Sequence, residues 1–247
     1  MGIFGPFTAI YASPTCVLYD SRGNDVRRSQ ALRRKEQVID LIREAFGATA
    51  YPGDAFLQGS FDDCEPYDEV GAFAGKTDWS RLDSTFLDTH YCALSFFSEG
   101  GFRYFLPAYL IADLRGELLT ADPLFHLCHG FAVLSAKMPV GVQTFRRDSG
   151  GKTLVNPKRY GAMTWSDYAR HRLSAFTREE AKAIVEFMLY KREQDSADPR
   201  ASRIDAALHE FWLDRSENAP TREALEAHVR EEERFTAALQ SRREEDR

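Results

Sequence analysis

Apolar residues along this chain recur mostly at three- and four-residue intervals, the period of helices with one buried face. The stretch SQALRRKEQVIDLIREAFG, from Ser29, puts Leu32, Val38, Ile39, Leu41, Ile42, Ala45 and Phe46 on such a face and stops at Gly47. FTREEAKAIVEFMLYKRE has the best start signal: Thr177 and Glu180 have capping-box spacing, Phe176 stands where it could staple onto Ala181, and Ala183, Ile184, Phe187, Met188 and Tyr190 form the apolar side. Between them the pattern predicts a helix from Asp78 or Ser80 through Leu82, Phe86, Leu87, His90 and Tyr91, and another from Ser98 through Phe102, Phe105 and Leu106. Pro107 follows, and its ring clashes with the carbonyl four residues back, so a bend or junction is expected at Leu106–Pro107. PLFHLCHGFAVL, with Pro123 in its first turn, TWSDYARHRL, and SADPRASRIDAALHEFWLDR, capped near Asp198, read as further helices. Beyond Pro220, Leu225, Val229, Phe235 and Leu239 draw a narrow stripe on a charged last helix.

The breaks in this rhythm set the boundaries. Residues 1–28 mix Gly, Pro and β-prone residues and end in the turn-rich DSRGND, the composition of an arm. In AYPGDAF, Pro52 and Gly53 suit the centre of a type II turn, with Asp54 placed to bond nearby backbone N–H groups. The acids Asp62, Asp63, Glu65, Asp68 and Glu69 precede or open a short helix carrying Val70 and Phe73, where the helix dipole favours them. From 136 to 163 the runs MPVGVQTF and LVNPKRYGAM flank an Asp-Ser-Gly-Gly turn, which reads as a β-hairpin. The pattern therefore predicts a mainly α fold, an irregular multi-helix bundle with an inserted β-hairpin. It divides into an arm (1–28), a helical domain (29–215, with the insertion at 136–163) and a charged C-terminal helix (216–247).

Composition narrows the class. With 247 residues, 43% of them hydrophobic, the chain can bury a core. A net charge of −6 repels a phosphate backbone, so nucleic acid is disfavoured and would need a local basic patch. No run approaches the roughly 18 apolar residues of a spanning helix, and no basic region precedes the apolar N-terminus, so neither membrane nor secretion is expected. Cys16, Cys64, Cys92 and Cys128 lie in unlike contexts without a CxxC pair, which fits a reducing cytoplasm.

Three blocks carry a resemblance: AF…YPGD…F, LSFFSEGGFRYFLPAYLIADL and FTREEAKAIVEFMLY. Over about residues 32–212, and most clearly at Tyr51–Asp54 and Phe102–Leu110, the chain resembles an uncharacterised family of bacterial proteins classed as a domain of unknown function. The resemblance implies a mainly helical domain in a bacterial cytoplasm and brings no activity or catalytic residue with it. The stretch from 136 to 163 is longer than the family leads one to expect.

Candidate chemistry is sparse. His126 and His129, at i and i+3 on a helix, could point both imidazoles at one zinc ion, with His90 or Cys92 as a third ligand. The apolar surroundings Leu124, Phe125, Leu127 and Phe131 equally suit imidazoles that bond to backbone or carboxylates inside a core. Asp54, Asp62 and Asp63 could serve as paired carboxylates, but no pocket is visible beside them. There is no GxSxG, Cys92 beside His90 is a common pairing, and GGKT at Gly150–Thr153 lacks the first glycine of a phosphate loop. Arg103, among the aromatics of FRYFLPAY, can bridge a carboxylate such as Asp113 or stack on Tyr104 or Tyr109.

The charge pattern is more specific. From Ala136 to Arg172 stand eight basic residues, Lys137, Arg146, Arg147, Lys152, Lys158, Arg159, Arg170 and Arg172, against Asp148 and Asp167. With Phe145, Tyr160, Trp165 and Tyr168 interleaved, Arg146, Arg147, Lys152, Lys158 and Arg159, together with Tyr160 and Trp165, are the candidate contacts for an acidic partner protein. The expectation is an interaction module, of adaptor, inhibitor or immunity type, that needs no cofactor and no catalysis. The alternatives are a small hydrolase with zinc at His126, His129 and His90, or a single-strand nucleic-acid binder.

Overall fold

The computed structural model describes residues 21–60, 65–132, 134–140, 143–149, 152, 154–155, 161–194, 199–227 and 230. Helix α5 (Glu99–Arg115) organises the body, because 12 of its 17 residues are buried. A helix apolar all round must be covered on every side. The cover comes from α1 (Ser21–Phe46), α3 (Ser84–Thr89), α6 (Pro123–Cys128), the 3-10 turn Trp79–Arg81 and the turn Leu173–Ala175. Helix α8 (Arg178–Gln194) packs on α1 and receives α9 (Pro199–Ala207) and α10 (Leu213–Asn218) on its other sides. Phe102, Phe105, Leu106, Leu110 and Phe187 are all fully buried in the resulting core. Two further short helices, α2 (Glu65–Gly71) and α4 (Ala93–Phe96), pack on each other. Among the described residues no helix is long and apolar enough to cross a membrane.

Several sequence expectations hold in detail. Ser98 caps α5 by accepting the Gly101 N–H at 3.0 Å. Thr177 and Glu180 close a reciprocal box, the Thr177 N–H donating to Glu180 at 2.8 Å and the Glu180 N–H to the Thr177 hydroxyl at 3.3 Å. Past Pro220, residues 222–227 are helical, Leu225 is buried and Arg222 donates to the Ala45 carbonyl at 2.8 Å. That helix is thus fastened to the body.

Other expectations need correction. Of the bend or junction expected at Leu106–Pro107, the junction is absent: Pro107 lies inside one helix, α5, with residues on both sides of it buried in the same core. Burial of that many side chains outweighs a proline cost of about 3 kcal/mol. Helix α1 begins at Ser21, not Ser29, because once the apolar face has nucleated a helix each further residue adds a hydrogen bond, and DSRGND is largely drawn in. The helix expected from Asp78 is two elements, each with its own acid: Asp78 caps Trp79–Arg81 and Asp83 caps α3. Gly53 has φ 92° and ψ 149°, which is not the type II conformation, and it caps a 3-10 turn at Asp54–Phe56. Asp54 instead holds a distant loop: its carboxylate accepts from the Tyr51 hydroxyl and, at 2.8 Å, from the Gly75 N–H. Burial, reinforced by that carboxylate, pushes the Tyr51 phenol up to about 12. The arm before residue 21, Asp62 and Asp63, Asp198, and Val229, Phe235 and Leu239 lie outside the described residues.

The insertion is an antiparallel ribbon of β1 (Leu134–Val140) and β2 (Gln143–Ser149), paired from Leu134↔Ser149 to Val140↔Gln143. The chain therefore reverses between Val140 and Gln143, and Asp148 and Ser149 belong to β2 rather than to the turn. A two-residue connection lets seven residues of each strand pair, which a turn at Asp-Ser-Gly-Gly would forgo. A second, two-residue ladder joins β3 (Leu154–Val155) to β4 (Met163–Thr164), which leads directly into α7 (Trp165–Arg172).

Candidate functional site

The ribbon leaves the body where α6 meets α7, and there two groups singled out in the sequence come together. Asp122 caps α6 by accepting the Phe125 N–H at 3.0 Å, with Pro123 in the first turn, which sets His126 on the helix and His129 just past its end. Gly130 follows at φ +94°. A Cβ there would lie 2.7 Å from the Trp165 carbonyl oxygen and 2.8 Å from the Ala169 Cβ, so only glycine lets the α6 exit touch α7. Thr164 caps α7 by accepting the Asp167 N–H at 3.1 Å, which fixes Trp165 at its first position.

The result is an imidazole–aromatic cluster. Trp165 meets the His129 ring edge-on with centroids 4.6 Å apart, and Phe125 covers His129 at 4.9 Å and His126 at 5.3 Å. Phe102 approaches His126 from the core at 6.3 Å. Burial, then the Arg172 guanidinium, depress both imidazoles, His126 to about 3, so both are neutral near pH 7. The Nδ1 atom of His129 is buried with no hydrogen-bond partner among the described residues. The carboxylate or backbone bond that such a histidine usually takes is thus not made at that atom among the described residues. Beside the cluster lies a small pocket of about 30 Å3, room for about one water, lined by Asp122, Phe125, Cys128, His129, Arg200 and Arg203.

His90 sits in different company. Its Nδ1 is 3.8 Å from Glu69 Oε2, and its ring packs on Phe73 and Phe86. Among the described residues no three or more His, Cys, Asp or Glu side chains are grouped to hold a metal ion, so His90 does not complete a site with His126 and His129. Burial pushes the Cys92 thiol up, which disfavours the thiolate that nucleophilic chemistry needs.

The basic residues divide into two sets. Arg170 pairs with Glu210 at 3.2 Å and lies over the Phe131 ring, which itself stacks on Phe211. Arg172 donates to the Leu94 and Ser95 carbonyls and covers Phe102 at 4.8 Å. These two cations belong to the body. Arg146 and Arg147 lie in β2, at register positions opposite Lys137 and Ala136, and Lys152 is exposed. Lys158, Arg159 and Tyr160 lie outside the described residues, and Trp165 is half-buried against His129.

One constellation escaped the sequence. Arg103 grips Glu180, not Asp113, through two bonds of 2.8 Å, and Thr49 donates to the same carboxylate at 2.7 Å. Asp113 pairs with Lys191 at 3.0 Å. The capping-box spacing marked Glu180, but no local pattern links it to an arginine 77 residues away.

Residues 34–129 match the model of a family of unknown function (DUF6714). The match stops at His129, so the ribbon and the FTREEAKAIVEFMLY block lie beyond it, short of the span that the resemblance suggested. No curated protein and no solved structure matches the chain.

Proposed function

We propose that the chain is a non-catalytic protein-interaction module whose β1–β2 ribbon and the basic residues after it receive an acidic partner protein. The register carries the reading: Lys137 stands directly opposite Arg146, with Arg147 next to it. Like charges at facing positions weaken a ladder, so the pair favours the arrival of an anion. The surrounding molecule carries net charge −6, so the same partner is repelled elsewhere and steered here. Trp165, anchored at the ribbon's root, and Tyr160 add the aromatic surface that charge alone lacks. The resemblance to a bacterial family and the unlike contexts of the four cysteines support a bacterial cytoplasm as the setting.

The test is comparative capture from the native cell lysate, followed by binding kinetics on what is retained. Arg146→Glu with Arg147→Glu should slow association and flatten its salt dependence, while Tyr160→Ala should mainly speed dissociation. A partner whose binding neither change weakens would overturn the reading.

A further inference from the structure

We infer that the partner binds as an added strand, an acidic extended segment pairing along the free edge of β2. The inference rests on the interaction reading above and adds its geometry. With two residues between Val140 and Gln143, those two form a hydrogen-bonded pair, and the pattern alternates from there. Met138↔Phe145, Ala136↔Arg147 and Leu134↔Ser149 are then bonded inward, while Pro139, Lys137 and Ser135 on β1, and Thr144, Arg146 and Asp148 on β2, turn their backbone groups outward. Pro139 falls in the outward set, where a residue without an N–H leaves the inner ladder whole and blunts the outer edge of β1. The edge of β2 has no such guard. Thr144, Arg146 and Asp148 each offer an outward N–H and carbonyl, and among the described residues the sheet has no third strand.

The charge says what fits. Strand addition draws affinity from the backbone and selectivity from side chains. Here β2 carries Arg146 and Arg147 against the one acid Asp148, Lys137 stands across the ladder, and Lys152 follows, a net positive strand, so the complementary strand is one rich in Asp or Glu with β-prone residues between them.

Full-length, isotope-labelled protein is titrated at low salt with acetyl-(Glu-Val)5-amide, and again with the same peptide N-methylated at every residue, which has the same charge and side chains but no backbone N–H to give a ladder. The first peptide should slow amide exchange at Thr144, Arg146 and Asp148 while leaving Phe145 and Arg147 unchanged. The second should bind about tenfold more weakly, the equivalent of one or two net backbone hydrogen bonds. Thr144→Pro, at an outward position, should reduce affinity for the first peptide alone. Equal affinity for both peptides with no protection of the outward amides would overturn strand addition and leave the acidic-partner reading standing; binding of neither would overturn both.

Discussion

Arg103 and Lys137 are both cations on regular secondary structure, one opposite an anion and the other at a register position opposite a cation. Arg103 lies in the body, its guanidinium forked onto a carboxylate that is fully buried and also bonded by Thr49 and the Thr177 N–H. Lys137 lies in the ribbon, facing Arg146 across the ladder. Where charge serves the fold, each group is matched before it is buried, since an unmatched buried ion costs several kcal/mol. Where two cations stand at facing register positions, they repel each other across the ladder. The difference separates cations matched within the body from the ribbon cations on which the proposed partner site rests, and it moves Arg170 and Arg172 from the second group to the first.

The comparison breaks most severely at Glu180. Glu180→Ala leaves Arg103 half-buried without its anion and should cost roughly 3–5 kcal/mol in urea unfolding. Replacing both partners, Arg103→Met with Glu180→Leu, should recover much of that loss, because neither desolvated charge remains. A single-mutant loss below 1 kcal/mol would show that the pair does not hold α5 to α8.

Gly130 tests how the ribbon is rooted. Gly130→Ala combines φ +94° with a Cβ forced against Trp165 and Ala169, and roughly 2–3 kcal/mol should be lost. The Trp165 fluorescence spectrum should shift as the ring leaves His129. An unchanged spectrum together with full stability would mean that the α6 exit and α7 are not locked.

How much of this was legible depended on range. The core face of α1 from Val38 to Phe46, though not the exposed Leu32, the Ser98 cap, the Thr177–Glu180 box and the helical character of α7 are encoded within a few residues, and periodicity and capping chemistry expose them. The ribbon was legible as a β-prone interruption, but its reversal was misplaced because Asp-Ser-Gly-Gly is a stronger local turn signal than the two residues that serve. At Pro107 the local penalty is visible in sequence, whereas the surrounding burial that keeps α5 one helix across it is not. The charge excess was legible, but not that Glu210 and the Leu94 carbonyl claim two of its members. The same holds for Glu180 and Arg103, which only the packing of α8 beside α5 and α1 brings together.

The buried imidazoles give a smaller effect with a definite sign. His126 is held near 3 in the fold against about 6.5 when unfolded, so the unfolded chain takes up the proton first as pH falls. Its neutral burial therefore carries no penalty above about pH 6.5, and stability is lost as pH falls from there toward 3. At pH 5 this amounts to roughly 1–2 kcal/mol. The raised carboxyls of Glu69 and Asp113 act in the opposite direction, so the quantity to measure is a difference between variants. His126→Gln should be destabilised by less at pH 5 than at pH 7.5, relative to the wild type. Equal losses at both pH values would show that His126 titrates freely in the fold.

The smallest stability effect discriminates most sharply between the two regions. Lys137→Glu turns the facing pair with Arg146 from like to opposite charge, which should stabilise the ribbon by about 0.5 kcal/mol. The same change removes positive charge from the surface proposed to receive an acidic strand, so affinity for acetyl-(Glu-Val)5-amide should fall even as stability rises. A cation in the body behaves otherwise: Arg103→Glu would destabilise the fold and, acting away from the ribbon, leave intrinsic peptide affinity alone in whatever remains folded. Opposed signs for stability and binding at position 137 are what a charge kept for a partner produces. If Lys137→Glu instead weakens both, the lysine is paired within the molecule, and the ribbon belongs with the body as a structural element.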